Sequence, residues 1–296
     1  MSLKNNEVTA FLAKKYFDLR TRDLKKLIFT ATTGRSGTMS LARVFSRIPG
    51  CIAQHEPYPI MNGEVLKAAS YGASEDVDRF YRRSKSVCIR RAAVGYRYYF
   101  EANHLFIKTF AQQVVDDFGD RVSVVHLIRS PLEVAMSIFR LQDYPGTKDG
   151  NYWWLDYRAP SNHIKIIDLL DTHKEFSHPF YKALWYWFEV EVRIAEWQKR
   201  MPSIPFLRFE TNWLYRTERI FELLDRLKIE YEKSAIEEMT GTQANSREDQ
   251  KRAAPLAQYD SERMLRLFQE VLAQRGIALP PTFETNVSDA VRSAAT

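Results

Sequence analysis

A short stretch at positions 34 to 40 has the side chains and the backbone freedom of an anion-binding loop. Gly34 and Gly37 allow the backbone to bend sharply and to come close to a ligand. Arg35, which lies between them, supplies a planar and permanent positive charge. Three hydroxyl donors complete the set: Ser36, Thr38 and Ser40. A phosphate or a sulfate is the ligand that such donors favour.

This loop lies between a predicted strand and a predicted helix. Residues 27–31 are apolar and β-prone, which predicts a buried strand. Four apolar residues with helical spacing follow the loop: Leu41, Val44, Phe45 and Ile48. Because the first turn of a helix presents unpaired N–H groups and a partial positive charge, this order of elements strengthens the expectation of an anion. The alternative is an ordinary strand–turn–helix connection with glycine in the turn.

The loop is not a Walker A motif, because that pattern continues from glycine to lysine, and here Gly37 is followed by Thr38. It resembles the 5′-phosphosulfate loop of the sulfotransferases that use 3′-phosphoadenosine 5′-phosphosulfate (PAPS). That loop has Lys or Arg, then Ser, Gly and two Thr or Ser; Met39 replaces the last of these here. The form with Arg35 resembles the carbohydrate, protein-tyrosine and bacterial branches. The resemblance implies that residues 34–40 bind PAPS as a co-substrate, without a metal ion.

A second pattern resembles the 3′-phosphate signature of the same family, in which seven residues separate an Arg from a Ser after an apolar strand. The predicted strand 122–128 ends at Arg129, and a helix that begins at Pro131 carries Ser137. Arg can hold a phosphate by two charge-assisted hydrogen bonds, and Ser adds a hydroxyl donor. The resemblance implies that Arg129 and Ser137 bind the 3′-phosphate of PAPS.

The resemblance also implies a general base near the end of a short second strand, predicted at 51–54. Several branches carry an acidic residue at about the offset that separates Glu56 from Arg35, and a carboxylate there can take the proton of an acceptor hydroxyl. Its neighbour His55 is the other candidate base. The alternatives are that Glu56 caps the strand end and that His55 is a packed or surface imidazole.

A third strand is predicted at 104–110, where Lys108 and Thr109 resemble the Lys-Thr-His strand of the cytosolic members. Phe110 stands in the place of the His, which moves the expected base to Glu56. The resemblance implies that Lys108, together with Arg35, stabilises charge on the transferring group. The alternative is a solvated lysine at a strand end.

Two weaker correspondences complete the expected PAPS site. Phe209 lies on a predicted strand at 206–210 that resembles a nucleotide-contacting strand of the family, although a core phenylalanine is the equal alternative. Arg247 lies in a basic segment at 240–252, where the family carries a loop over the 3′-phosphate.

Strands alternate with helices along the chain, which predicts an α/β fold with a mainly parallel sheet flanked by helices. The resemblance implies the sulfotransferase fold, a relative of the P-loop kinases. We expect a single domain over residues 1–296, with a helical insertion at about 58–103. A turn-rich, aromatic stretch at about 141–178 is expected to form an acceptor-side lid.

Composition restricts the class of protein further. The 296 residues include 45% hydrophobic residues and carry a net charge of +6, which suits an anionic ligand. Two cysteines predict neither a disulfide framework nor a metal site. No apolar run is long enough for a transmembrane helix, and the first residues lack a signal-peptide pattern, so we expect a cytoplasmic protein. The oligomeric state stays open.

Together these patterns predict an enzyme that transfers a sulfuryl group from PAPS to a hydroxyl of a carbohydrate, glycolipid or other natural product. One alternative is a P-loop-type kinase that uses ATP. The other is a non-catalytic basic protein that binds a nucleotide or RNA, although no RNA-binding signature is present and we expect no nucleic-acid partner.

Overall fold

One sheet of five parallel strands forms the centre of the molecule. The computed structural model describes residues 7–243 and 260–280, and of residues 240–243 only the backbone. The strands are β1 (Lys26–Ala31), β2 (Cys51–His55), β3 (Tyr98–Ala102), β4 (Val122–Ile128) and β5 (Phe206–Glu210). Their order in the sheet is β2-β3-β1-β4-β5, and every neighbouring pair is parallel. The predicted α/β class with a parallel sheet is confirmed.

Helices cover both faces of the sheet. The bounds are α1 (Glu7–Arg20), α2 (Thr38–Ser46), α3 (Glu64–Ser70), α4 (Ser74–Phe80), α5 (Ser86–Ala92), α6 (Ala111–Phe118), α7 (Pro131–Leu141), α8 (Lys148–Trp153), α9 (Ile167–Thr172), α10 (Pro179–Arg200), α11 (Thr217–Arg226), α12 (Lys233–Gln243) and α13 (Ser261–Gln274). Two π-helical turns, Tyr81–Lys85 and Phe106–Phe110, and two 3₁₀ turns, Gly119–Arg121 and Thr211–Tyr215, connect them. Among these described helices, none has both the length and the apolar character that crossing a membrane requires.

The central strand β1 is buried on both of its faces. Successive side chains of a strand point to opposite sides, so Phe29 packs into one apolar cluster and Ile28 into the other. The first cluster lies under α10, where Trp185 and Trp187 are fully buried. The second lies under α2 and α11. The apolar run that predicted β1 is therefore explained by its place in the middle of the sheet.

The order of the strands reverses direction at β1. The chain passes from β1 through α2 to the edge strand β2, returns to β3 beside β1, and then crosses to β4 on the other side. In open α/β sheets, ligands bind outside the carboxyl ends of the strands at such a reversal of direction. The loop 32–37 and Arg129 both lie at this end, because they follow β1 and β4 directly.

The predicted third strand is wrong. Residues 104–110 do not form a strand: β3 is Tyr98–Ala102, inside the stretch that we expected to be a helical insertion, and Lys108 lies on the π-helical turn. The side chain of Asn103 ends the strand by accepting a hydrogen bond from Leu105 N at 2.9 Å, and Leu105 O then accepts from Thr109 N. Periodicity cannot separate a short apolar strand from a buried helical turn.

Candidate active site

The loop after β1 has an unusual backbone at three of its positions. Gly34, Arg35 and Gly37 have φ angles of +83°, +55° and +83°. The left-handed conformation favours glycine at position 37, and a Cβ atom there would also lie 2.8 Å from Leu214 Cδ1, so that the leucine side chain would have to move. Gly37 also precedes α2 without a side-chain cap. The first N–H groups of α2 are thus left for another acceptor, as the sequence predicted.

The structure brings the two predicted anion-binding patterns into direct contact. Arg35 donates from Nε to Ser137 Oγ at 2.9 Å, and Arg129 donates to the carbonyl oxygen of Arg35 at 2.9 Å. Arg129 also pairs with Glu133 at 3.0 Å, one turn further along α7. Two guanidinium groups and a hydroxyl therefore lie together at the N-terminus of α2, although the chain separates them widely.

Thr211 was not predicted, and it joins the loop to β4. Its hydroxyl lies 2.7 Å from Ser36 O and 3.0 Å from Ile128 O, so it can donate to either carbonyl oxygen. A Cβ atom on Gly37 would also lie 3.2 Å from the Thr211 methyl group. The 3₁₀ turn after β5 therefore helps to hold the loop in place.

The other residues of the predicted loop occupy different environments. Ser36 is fully buried, and its hydroxyl forms a short hydrogen bond with Thr32. Thr38 Oγ1 lies 2.9 Å from Nε2 of His55, whose side chain is exposed. Met39 is 55% exposed and Ser40 is half-buried on the first turn of α2. Ser36 thus shapes the loop from inside, whereas Thr38 links it to the end of β2.

Glu56 lies at the carboxyl end of β2, also in a left-handed backbone conformation, with φ +45°. Its N–H donates to Ala102 O at 2.9 Å, which extends the pairing of β2 with β3 by one residue. Burial raises the pKa of Glu56, and the charges of His55, Lys108 and Arg35 offset part of that effect. A carboxyl whose pKa is raised in this way is suited to accept a proton.

A chain of buried polar groups lies behind Glu56. His104 Nε2 is 3.5 Å from Glu56 Oε1, and Lys108 Nζ is 2.7 Å from His104 Nδ1. Lys108 also donates to Tyr186 Oη at 2.8 Å and to Trp153 O at 3.3 Å. With Lys108 protonated, each of its three hydrogens has an acceptor, and His104 carries its proton on Nε2, towards Glu56.

Burial is the main cause of the pKa shifts of Lys108 and His104. It lowers the pKa of Lys108 well below the usual lysine range, against the opposing charge of Glu56. It also lowers the pKa of His104 well below the usual histidine range, and the charge of Lys108 adds to that effect. His104 is therefore neutral at ordinary pH. Lys108 is 3% exposed, so its amine contacts protein groups and not solvent.

Tyr186 connects this buried chain to the loop. Its hydroxyl accepts from Lys108 and donates to Thr33 O at 2.6 Å. We expect Tyr186→Phe to lower the free energy of unfolding by about 1–3 kcal/mol, because a buried donor and a buried carbonyl lose their partner. Urea denaturation measures this. Tyr181→Phe on the same helix is the control, since among the described residues its hydroxyl bonds Glu175 alone, at 3.4 Å. Equal effects of the two substitutions would contradict the linking role.

The structure describes one of the two residues that had weaker correspondences. Phe209 is 1% exposed in the cluster under α2 and packs edge-on against Trp213, which agrees with the core alternative. Arg247 lies outside the described residues. Sequence reasoning missed His104 because the third strand was misplaced: once β3 ends at Ala102, His104 falls at its carboxyl end. In the part of the chain that the structure describes, no three His, Cys, Asp or Glu residues form a metal-binding group.

Comparison with known proteins gives matches among solved structures only. No protein-family profile matches the chain, and no curated protein matches it. Similar solved structures include the sulfotransferase domain of the olefin synthase of Synechococcus PCC 7002, at 13% identity and a TM-score of 0.41, over 71% of this chain and 75% of that domain. They also include the sulfotransferase domain from the curacin biosynthetic pathway, at 12% identity and a TM-score of 0.46, over 87% of this chain and 99% of that domain.

The resemblance stated from the sequence names the same family as both of these structures. Because the identities and TM-scores are low, we base the function of this chain on its own residues.

Proposed function

We propose that the protein transfers a sulfuryl group from PAPS to a hydroxyl group of an acceptor molecule. The observation that supports this most directly is the contact of Arg35 with Ser137 and Arg129 at the N-terminus of α2. Two patterns were recognised separately in the sequence, one for the 5′-phosphosulfate and one for the 3′-phosphate of PAPS. Their residues lie together at the N-terminus of α2.

In this proposal the loop residues 34–40 hold the 5′-phosphosulfate, while Arg129 and Ser137 hold the 3′-phosphate. Arg35 and Ser137 exchange their mutual hydrogen bond for oxygens of the donor when it binds. The positive end of α2 and the two guanidinium groups stabilise the negative charges. The mild positive charge of the whole chain favours the approach of such an anion.

Transfer then requires one proton movement. The acceptor oxygen attacks the sulfur atom, the bond between that sulfur and the 5′-phosphate oxygen breaks, and Glu56 takes the hydroxyl proton. 3′-Phosphoadenosine 5′-phosphate leaves with the electron pair of the broken bond. Arg35 stabilises charge on the transferring group and on the leaving oxygen, so catalysis depends mainly on positioning and electrostatics.

Lys108 has a different role from the one that the resemblance implied, which was to stabilise charge on the transferring group. Its amine is enclosed by His104, Tyr186 and Trp153, so we assign it a positioning role: it orients His104 towards Glu56 and, through Tyr186, supports the loop carbonyl at Thr33. The segment 141–178, which contains Trp153 and helices α8 and α9, is the proposed lid over the acceptor.

A thermal shift measurement without magnesium tests the donor site. We expect 3′-phosphoadenosine 5′-phosphate, but neither ADP nor ATP, to stabilise the protein; at a concentration of about 100 Kd the gain is about 2.7 kcal/mol. Arg129→Ala should abolish the shift, because it removes the proposed partner of the 3′-phosphate. Arg140→Ala, an exposed arginine of the same helix, is the control. No shift, or a preference for ATP, would contradict the proposal and favour a kinase.

A further inference from the structure

A buried ion pair lies near the carboxyl end of β3, and the mechanism proposed above does not use it. Lys85 Nζ is 2.7 Å from Glu101 Oε1, and the two side chains are 1% and 0% exposed. Lys85 belongs to the π-helical turn after α4, whereas Glu101 lies on β3. Because the loss of water around both charges offsets much of their attraction, the pair is better explained by the groups that it orients than by the stability that it adds.

Lys85 holds the chain directly after the proposed base. Its amine also donates to the carbonyl oxygen of Pro57 at 3.3 Å, and Pro57 follows Glu56 in the sequence. On the other side, Glu56 N donates to Ala102 O at 2.9 Å. The left-handed backbone of Glu56, with φ +45°, is unfavourable for a residue with a side chain, and such a conformation persists only where its surroundings hold it. These two hydrogen bonds, one on each side of the residue, provide that support.

Glu101 holds the turn that carries His104. Its carboxylate accepts from Asn103 Nδ2 at 2.7 Å, and the side-chain oxygen of Asn103 accepts from Leu105 N at 2.9 Å. These two contacts fix both ends of the Asn103 amide, which is fully buried. His104 is the next residue, and its Nε2 lies 3.5 Å from Glu56 Oε1. The orientation of Asn103 therefore helps to decide where the His104 ring lies.

Further contacts pair the remaining polar atoms around Glu101. Tyr99 Oη donates to Glu101 Oε2 and lies 3.2 Å from Gln54 Oε1 on β2. Lys85 Nζ lies 5.2 Å from the centre of the Phe110 ring, which is a cation–π contact. Both carboxylate oxygens of Glu101 and the amine of Lys85 thus contact protein groups, as buried charges require. A fully paired network of this kind is rigid and specifies one arrangement.

We propose that this buried ion pair positions Glu56 and His104 relative to each other; this inference rests on the proposed function. One partner holds the carbonyl group after the base, and the other holds the residue before His104, so the pair links the two segments. The segment 58–103 gains a role in the same way, because its π-helical turn supplies Lys85. A misplacement of about 1 Å can cost about 100-fold in rate, so the link matters for turnover.

The double variant Lys85→Met with Glu101→Gln tests the link. A single substitution would leave one buried charge unpaired, whereas this variant removes both charges and keeps a hydrogen-bond acceptor at position 101. We expect kcat to fall about 10–100-fold, while the thermal shift with 3′-phosphoadenosine 5′-phosphate is retained because the donor site is unaltered. Arg90→Met with Asp117→Asn is the matched control. It removes another buried ion pair, with side chains 2% and 8% exposed, and should cause no comparable loss of kcat.

Asn103→Ser gives a second readout, in which the ion pair stays intact. Serine can still accept from Leu105 N, but its side chain is one atom shorter and loses the contact with Glu101. The substitution leaves all the charged and titratable groups around Glu56 in place: His55, His104, Lys108, Arg35, Glu101 and Tyr186. A change in the titration of Glu56 therefore reports geometry and not a lost charge.

Carbon-13 nuclear magnetic resonance of labelled glutamate carboxyl groups measures that titration without any enzymatic assay. The Glu56 signal is identified as the one missing in Glu56→Gln. We expect the midpoint in Asn103→Ser to move to higher pH, because the Glu56 carboxylate loses part of its contact with the His104 N–H donor. The control variant should leave the midpoint unchanged.

The outcomes distinguish this inference from the proposed function. An unchanged kcat in the double variant, an equal loss of kcat in the control, or an unchanged Glu56 midpoint in Asn103→Ser overturns the positioning role, even when sulfuryl transfer is observed. If one of the two test variants fails to fold, the other decides. A Glu56 midpoint that moves in Asn103→Ser and not in the control, without transfer from PAPS to any hydroxyl acceptor, would support the positioning role and overturn the proposed function.

Discussion

Glu56→Gln is expected to lower turnover about 10²–10⁴-fold, the usual contribution of a general base. The amide has the shape of the carboxylate but cannot accept the acceptor's proton. Because Glu56 does not belong to the residues proposed to bind the nucleotide, the affinity for 3′-phosphoadenosine 5′-phosphate should change little. Steady-state kinetics and the thermal shift measure the two effects separately. Glu64→Gln, an exposed carboxylate at the start of α3, is the matched control.

A loss of less than about tenfold would exclude Glu56 as the base, because that is below the range for general bases. His55, the other candidate from the sequence, would then be tested by His55→Gln. A large loss in both turnover and nucleotide affinity would instead place Glu56 in the donor site.

We also expect Glu56→Gln to change how the free energy of unfolding depends on pH. The folded state raises the pKa of Glu56 above its ordinary value of 4.5, so ionising this carboxyl costs more in the folded than in the unfolded protein. This free-energy cost is absent below pH 4.5. It grows as the pH rises towards the pKa of Glu56 in the folded protein, and it is complete above that pKa. Glu56→Gln removes it, so the variant should be more stable than the original protein at neutral pH. Urea denaturation at several pH values should show this difference disappear below pH 4.5.

The second large effect is expected at His104. Two substitutions there each keep the hydrogen-bonding group of one ring nitrogen and remove that of the other. His104→Asn keeps an acceptor for Lys108 near Nδ1 but loses the donor that faces Glu56. His104→Gln keeps a donor near Nε2 but loses the acceptor for Lys108. We expect His104→Asn to lower kcat about 10²-fold, a typical effect of removing one donor from an active site. His104→Gln should retain more of the activity.

The pH dependence of kcat shows whether His104 acts through Glu56. If it does, His104→Asn should shift the midpoint that reports Glu56, while nucleotide affinity stays unchanged. A purely structural role would lower stability and activity in both variants without moving that midpoint. The opposite order, with His104→Asn more active than His104→Gln, would contradict the proposed orientation of the ring.

The sequence predicted those parts of the site that depend on local patterns. The strand before Gly34, the helix after it, and the strand that ends at Arg129 are each encoded by neighbouring residues, and all three lie where they were expected. The resemblance added the expectation that Arg129 and Ser137 belong together. Their contact with Arg35 required only that parallel strands end at the same edge of the sheet.

The remaining parts depend on contacts between distant segments. Tyr186 lies in the middle of a long apolar helix, and nothing near it in the sequence separates it from the core residues around it. Thr211 directly follows a strand, at a position where polar residues are common. His104 and Lys108 lie in an apolar run whose conformation is decided by Asn103 and by burial, and not by its own periodicity.

Because Arg35 and Glu56 have a left-handed backbone, selection for stability at these positions opposes selection for activity. Each of these residues has a side chain where glycine would be relaxed, at a cost of about 1–2 kcal/mol per position. Glycine at either position would relieve the strain and remove a charge on which the proposed chemistry depends. A library selected only for thermostability should therefore accumulate glycine at positions 35 and 56, and lose activity as it does so.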